Sequence, residues 1–93
     1  EEDFEDEIEL RIGPNPVEDE LNVFFDLTNA TQVHIQLLDL QGKKVRSQRA
    51  GLLHAGSHQL LQAMTDLPAG VYFLHISVGD ESIVKKIQKW SAY

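Results

Sequence analysis

The sequence contains no cysteine, which excludes disulfide bonds, thiolate zinc sites and a cysteine nucleophile. It also has no apolar run near the ~18 residues that a membrane-spanning helix requires, so no transmembrane segment is expected. The N-terminus is acidic and has no apolar core of the signal-peptide kind, so we expect the chain to start after any signal peptide or to have none. A length of 93 residues predicts one domain.

The negative charge of the chain is concentrated in its first ten residues. The net charge is −7, and the first ten residues hold seven acids and no base, namely Glu1, Glu2, Asp3, Glu5, Asp6, Glu7 and Glu9. The other 83 residues are neutral, with eight acids and eight Lys and Arg. Because phosphate neutralisation needs clustered Lys and Arg, nucleic acid is not an expected partner.

We divide the chain into an acidic leader (1–7), a domain (8–90) and a tail (91–93).

The apolar residues recur with period two in short runs separated by turn residues, and no helical period is present. The predicted strands cover residues 8–12, 21–27, 33–37, 43–49, 57–63, 71–78 and 82–90. A change of parity at Leu38 and Leu40 predicts a bulge or a strand end, and residues 51–56 are predicted to form a loop. The chain is therefore predicted to be all-β, as a seven-stranded antiparallel immunoglobulin-like β-sandwich. A small open barrel is the alternative architecture.

Tyr72 stands at the start of an apolar strand, directly after the tight corner Leu67-Pro68-Ala69-Gly70. This is the setting of a tyrosine corner, in which the phenol hydroxyl donates to a backbone carbonyl a few residues upstream. We expect Tyr72, Leu74, Ile76 and Val78 to face the core, and the residues between them to face outwards.

The four histidines do not have the spacing of a catalytic or metal site. His54 and His58 are four residues apart, a spacing that converges only on a helix, and His34 and His75 lie in separate predicted strands. Ser57-His58 lacks a nucleophile elbow, and no phosphate-binding glycine pattern occurs. The sequence therefore predicts no enzyme, no cofactor and no metal.

The last predicted strand carries Lys85, Lys86 and Lys89 beside several apolar residues. Charged residues on a terminal strand protect a sheet edge from association. The same residues also form a basic ribbon on which another protein could dock by strand addition, or through which two copies could form a dimer. The residues alone leave both interpretations open.

Several motifs occur in a characteristic order: Pro14-Asn15-Pro16, Leu21-Asn22-Val23, Asp39-Leu40-Gln41-Gly42-Lys43-Lys44-Val45, Leu67-Pro68-Ala69-Gly70-Val71-Tyr72-Phe73-Leu74 and Lys85-Lys86-Ile87. Together they resemble the type A C-terminal sorting domain of the type IX secretion system of Bacteroidetes. The resemblance covers the chain from about Ile8 to Lys89.

This resemblance implies a sorting signal rather than a catalyst. Such domains direct a cargo protein from the periplasm across the outer membrane to the cell surface or beyond. The implied partners are the type IX translocon, its shuttle components and a surface sortase. The sortase is a cysteine peptidase that usually removes the domain and attaches the cargo to the cell surface. The residues that match the family motifs are Pro14, Asn15, Pro16, Asp39, Gly42, Gly70, Tyr72, Lys85 and Lys86.

Most of these residues are expected to shape turns, whereas Lys85, Lys86 and Lys89 are the candidates for direct recognition. The leader lacks the small polar residues expected at a sortase site, so cleavage is expected before Glu1 or not at all. The alternative function is a non-catalytic immunoglobulin- or fibronectin-like module that binds a glycan or a protein through its loops.

Overall fold

A computed structural model of the chain describes residues 10–90, which form seven β-strands and no helix. The strands are β1 (Leu10–Gly13), β2 (Glu20–Leu27), β3 (Thr31–Leu38), β4 (Lys44–Leu53), β5 (Gly56–Ala63), β6 (Gly70–Val78) and β7 (Glu81–Lys89). In this part of the chain no helix is long and apolar enough to cross a membrane. The predicted leader, Ile8 and the tail 91–93 lie outside the described residues.

The strands divide into a three-stranded sheet, in the order β1-β2-β5, and a four-stranded sheet, in the order β4-β3-β6-β7. All pairs of neighbouring strands are antiparallel. The all-β prediction is therefore confirmed. The open barrel is not found, because no paired strands join the two sheets within residues 10–90.

The core lies between the two sheets, and period-two alternation builds it. On β2 and β6 every second side chain is buried, while its neighbours are partly exposed. Because neighbouring side chains of a strand point to opposite faces, each sheet offers one apolar face to the other. The fully buried side chains include Leu21, Val23, Phe25, Ile35, Leu37, Leu74, Ile76 and Ile87.

Strand β4 differs from its prediction, since it continues to Leu53 through the segment expected to be a loop. The register with β3 shifts between Val33 and His34, so that Ala50 is an extra residue in β4. This bulge breaks the period-two pattern, and Ala50 and Leu53 nevertheless pack against the core. The bulge therefore hid from the sequence pattern that β4 continues beyond Arg49. Only two residues separate β4 from β5.

A second register shift, between Leu37 and Leu38, confirms the irregularity predicted from the change of parity.

The tyrosine corner is also confirmed. The Tyr72 hydroxyl donates a hydrogen bond of 2.6 Å to the carbonyl oxygen of Pro68, and the Tyr72 ring lies in the core. The corner therefore ties the loop before β6 to the inter-sheet core.

Tyr72→Phe is expected to lower the free energy of unfolding by about 0.5–1.5 kcal/mol, because it removes one hydrogen bond and keeps the ring. Chemical denaturation measures the change. Ser82→Ala, which removes an exposed hydroxyl, is the control and should change stability by less than about 0.5 kcal/mol. An equal effect of both substitutions would contradict a structural role of the corner.

Candidate functional site: the motif pole and the last strand

Four parts of the chain meet at one end of the sandwich, which we call the motif pole. They are the β1–β2 connection (14–19), the β3–β4 turn (39–43), the β5–β6 loop (64–69) and the end of β7 (89–90). Hydrogen bonds join the β1–β2 connection to the β5–β6 loop and to β7: the Met64 amide donates to the carbonyl of Asp19, and the Val17 amide donates to that of Gln88, which precedes the end of β7, both at 2.8 Å. Pro14, Asn15, Pro16, Asp39 and Gly42 lie in this pole, and Gly70 and Tyr72 at its border.

The segment Asn15–Val17 fastens the end of β7. The Gln88 amide donates to Oδ1 of Asn15 at 3.0 Å, although the two residues are 73 positions apart. Val17 forms a parallel bridge with Lys89, accepts a hydrogen bond of 3.1 Å from the Trp90 amide and is fully buried. The chain thus passes from the three-stranded sheet to the edge of the four-stranded sheet.

Asp39 organises the turn between β3 and β4. Its Oδ1 accepts hydrogen bonds from the amides of Gln41 and Lys43, at 3.0 and 2.9 Å. The Gly42 amide donates to the Asp39 carbonyl at 2.9 Å, and Gly42 has a φ of 86°, which side-chain-bearing residues rarely adopt. These two motif residues therefore serve the backbone of the turn.

Burial raises the pKa of the Tyr72 hydroxyl, and the negative charge of Asp39 raises it further, while Arg46 lowers it. Arg46 also lies 4.0 Å from the carboxylate of Asp66 in the β5–β6 loop. The charged residues of the β3–β4 turn, β4 and the β5–β6 loop therefore lie close to one another and to the Tyr72 hydroxyl.

The raised pKa of Tyr72 predicts a loss of stability in alkaline solution. Above pH ~10 the unfolded chain releases the phenol proton before the folded chain does, so the free energy of unfolding falls as pH rises through the folded pKa. Denaturation at pH 8 to 11 should show a steeper fall for the natural chain than for Tyr72→Phe. Parallel curves would contradict the shift.

The three lysines of β7 do not form one cluster. Lys85 pairs with Leu74, on the side that faces the other sheet, and Lys86 pairs with Phe73 on the outer side; both are exposed. Lys89 is only 6% exposed, and its Nζ donates to the Trp90 carbonyl at 3.1 Å. The sequence did not indicate this burial, because Lys89 is bridged by Val17, which is distant in the chain. One sequence feature could have indicated a contact of this connection with the core: Val17 is the only non-proline apolar residue between Gly13 and Leu21.

Strand β7 is an edge strand, and only its end is covered within the described chain. The amide and carbonyl of Gln88 both point away from β6, because they bond to Asn15 and Val17. In an antiparallel pair this orientation repeats every second residue, so Ser82, Val84 and Lys86 also present their amides and carbonyls outwards. Val84 is 51% exposed. The edge from Ser82 to Lys86 is therefore a stretch of accessible backbone beside the exposed side chains of Val84, Lys85 and Lys86.

The histidines are spread over the sandwich. His34 Nε2 lies 3.0 Å from the Ser47 hydroxyl, and the His58 ring stacks on Phe25, with its Nε2 2.7 Å from the His54 carbonyl. His75 lies on β6, paired with Val84. Within residues 10–90, no three side chains of the metal-binding types come together.

These features define a small all-β domain with a fastened but partly open last strand. A family model described as a secretion system C-terminal sorting domain matches residues 11–89. The chain belongs to this family, whose members act as C-terminal sorting signals for type IX secretion. No curated protein matches the chain.

The resemblance and the function predicted from the motifs are therefore confirmed. The domain directs its cargo through the type IX machinery to the cell surface or the extracellular space, and that machinery is its partner. The family is one of sorting signals and not of catalysts. The alternative, a binding or adhesion module, is not favoured.

Asn15→Ala should lower the free energy of unfolding by about 1 kcal/mol, because it removes the acceptor of the Gln88 amide. Amide hydrogen exchange should show the largest loss of protection at Gln88. Asn29→Ala is the matched control, since the Asn29 side chain bonds only to its exposed neighbour Thr28 among the described residues. Unchanged protection at Gln88 in the Asn15 variant would contradict the fastening role.

Proposed function

We propose that the type IX translocon recognises the open part of β7, from Ser82 to Lys86, as presented by the folded sandwich. One observation carries this proposal: β7 is an edge strand whose end is fastened by Asn15 and Val17, while the rest of its outer edge has no strand partner within residues 10–90. A strand that is held in place and has unpaired backbone amides and carbonyls can accept a further strand, because binding requires little additional ordering of β7.

The two exposed lysines are suited to select the incoming strand. Lys85 and Lys86 project to opposite faces of the sheet, so they flank an added strand from both sides. Carboxylates on the partner would complement them, whereas a second copy of β7 would bring further lysines. The like charges therefore weaken dimer formation through this edge and favour a translocon or shuttle component as the occupant.

The other motif residues support recognition indirectly, through folding. The Pro14-Asn15-Pro16 segment positions the end of β7, and Asp39, Gly42, Gly70 and Tyr72 shape the turns of the motif pole. Lys89 belongs to this structural group, because its burial removes it from any docking partner.

We infer several further features of the domain. The sheet orders are compatible with an immunoglobulin-like connectivity, and residues 8–90 act as one unit between an acidic leader (1–7) and a tail (91–93). The domain passes through the periplasm, has no catalytic activity, cofactor or metal of its own, and meets the surface sortase after export.

The test fuses the chain to a reporter with a signal peptide in a bacterium that has a type IX system. Lys85→Ala with Lys86→Ala should reduce surface delivery about tenfold, equivalent to about 1.4 kcal/mol of lost recognition, and leave the reporter in the periplasm. Lys43→Ala with Lys44→Ala removes the same charge at the end of the β3–β4 turn and the start of β4, which is the opposite edge of this sheet, and should be exported normally.

Thermal unfolding of the purified domains must show that both double variants fold. Undiminished export of a folded Lys85 and Lys86 variant would overturn the proposed recognition surface. Single replacements then separate the two faces of β7: a defect confined to Lys86→Ala would assign recognition to the outer face, and one confined to Lys85→Ala to the inner face.

A further inference from the structure

The outer face of the four-stranded sheet, on the side away from the core, carries positive charge. Lys44, Arg49 and Lys86 are exposed there, on the face that the strand registers assign to the outward-pointing residues. The four strands contain a single acid, Glu81, which pairs with the buried Val78 on the core side. An anion that approaches the outer face therefore meets an attractive field.

One row of polar side chains crosses this face near the start of β3. His34 pairs with Arg49 of β4 on one side and with Ser77 of β6 on the other. His34 and Ser77 point outwards, because the adjacent Val33 and Ile76 are buried in the core. Side chains paired in this way have Cβ atoms about 4.5–5.5 Å apart. The row therefore places a guanidinium, an imidazole and a hydroxyl side by side on three neighbouring strands.

A cavity of about 220 Å³ opens at this row. Its walls are formed by Gln32, Val33, His34, Arg49, Ser77 and Gly79. The bulge at Ala50 directly follows Arg49, and such bulges bend a strand and redirect the neighbouring side chains. The cavity is smaller than the ~300–1,000 Å³ sites that enclose a whole substrate or cofactor, so it suits one small polar group.

The side chains of the row offer hydrogen-bond donors to this cavity. Arg49 forms no ion pair with a carboxylate of residues 10–90, so its guanidinium is available to an external anion. The Ser47 hydroxyl lies 3.0 Å from Nε2 of His34. When this hydroxyl donates to Nε2, the proton of the neutral ring is on Nδ1, which can then donate to a ligand. Ser77 adds a hydroxyl donor from the next strand.

We propose that the cavity between His34, Arg49 and Ser77 binds a phosphate group. A guanidinium donates two parallel N–H bonds to one phosphate, a geometry that an ammonium group lacks. The Ser77 hydroxyl and the His34 ring supply further donors. A carboxylate has only two oxygens, which the guanidinium alone occupies, whereas a phosphate presents at least three acceptor oxygens. The donor set therefore matches phosphate better than carboxylate.

Nuclear magnetic resonance titration of the isotope-labelled chain with inorganic phosphate at neutral pH tests the proposal, with chloride at equal ionic strength as the reference. The amide signals of His34, Arg49 and Ser77 should shift and saturate, with a dissociation constant of about 1–10 mM because the main charge is exposed. Arg49→Gln should weaken binding about tenfold, equivalent to about 1.4 kcal/mol. Arg49→Lys keeps the charge without the two parallel donors and should recover only part of the affinity.

Lys44→Gln is the matched control, because it removes one charge from the same strand and the same face. Lys44 lies about 16 Å from Arg49 along β4, which exceeds the screening length of about 8 Å at 0.15 M salt, so the dissociation constant should stay within about twofold. The amide spectrum of each variant also shows whether it folds. An equal loss of affinity in the Lys44 and Arg49 variants, or shifts spread over all the lysines, would overturn the site. Tighter binding of acetate than of phosphate would overturn the choice of ligand.

A parallel titration with glycerol 1-phosphate separates the two sources of a phosphate group. Tighter binding of the ester would assign the site to phosphate carried by a larger molecule, and equal or weaker binding would assign it to the free ion. The site uses β3, β4 and β6, whereas the proposed translocon contact is on β7. Export of cargo is not part of this readout, so the two proposals fail independently.

Discussion

The architecture of this sorting domain depends on the contact between the β1–β2 connection and the last strand. Val17 is buried in the core, and its backbone bonds to Gln88 and Trp90, while the Asn15 side chain bonds to the Gln88 amide. These bonds join residues more than seventy positions apart, so the two ends of the described chain are closed on each other. Loss of this contact would leave the end of β7 without a partner on its outer side.

The motif pole shows that a family motif need not be a binding site. Asn15, Asp39 and Tyr72 each direct their polar atoms to backbone groups, at distances between 2.6 and 3.0 Å. Such contacts define turns and strand ends, on which the position of β7 depends. In the proposed mechanism the translocon is then sensitive to these residues through the shape of the edge that they hold.

An exposed edge strand is a risk as well as an opportunity, because unpaired backbone groups attract any extended chain. Lys85 and Lys86 are exposed on opposite faces of β7, and in the proposed mechanism they limit association with other copies and still allow a partner of complementary charge.

The sequence alone determined the number of strands, the inward-facing residues of β6, the irregularity near Leu38 and the tyrosine corner, because each depends on local alternation or turn chemistry. It also carried the motifs that identify the family. The tertiary structure decided the length of β4, whose bulge at Ala50 interrupts the alternation, and the separation of Lys85, Lys86 and Lys89 into different surroundings. These features depend on which strands become neighbours, and long-range pairing such as that of Val17 with Lys89 leaves no periodic signal in either segment.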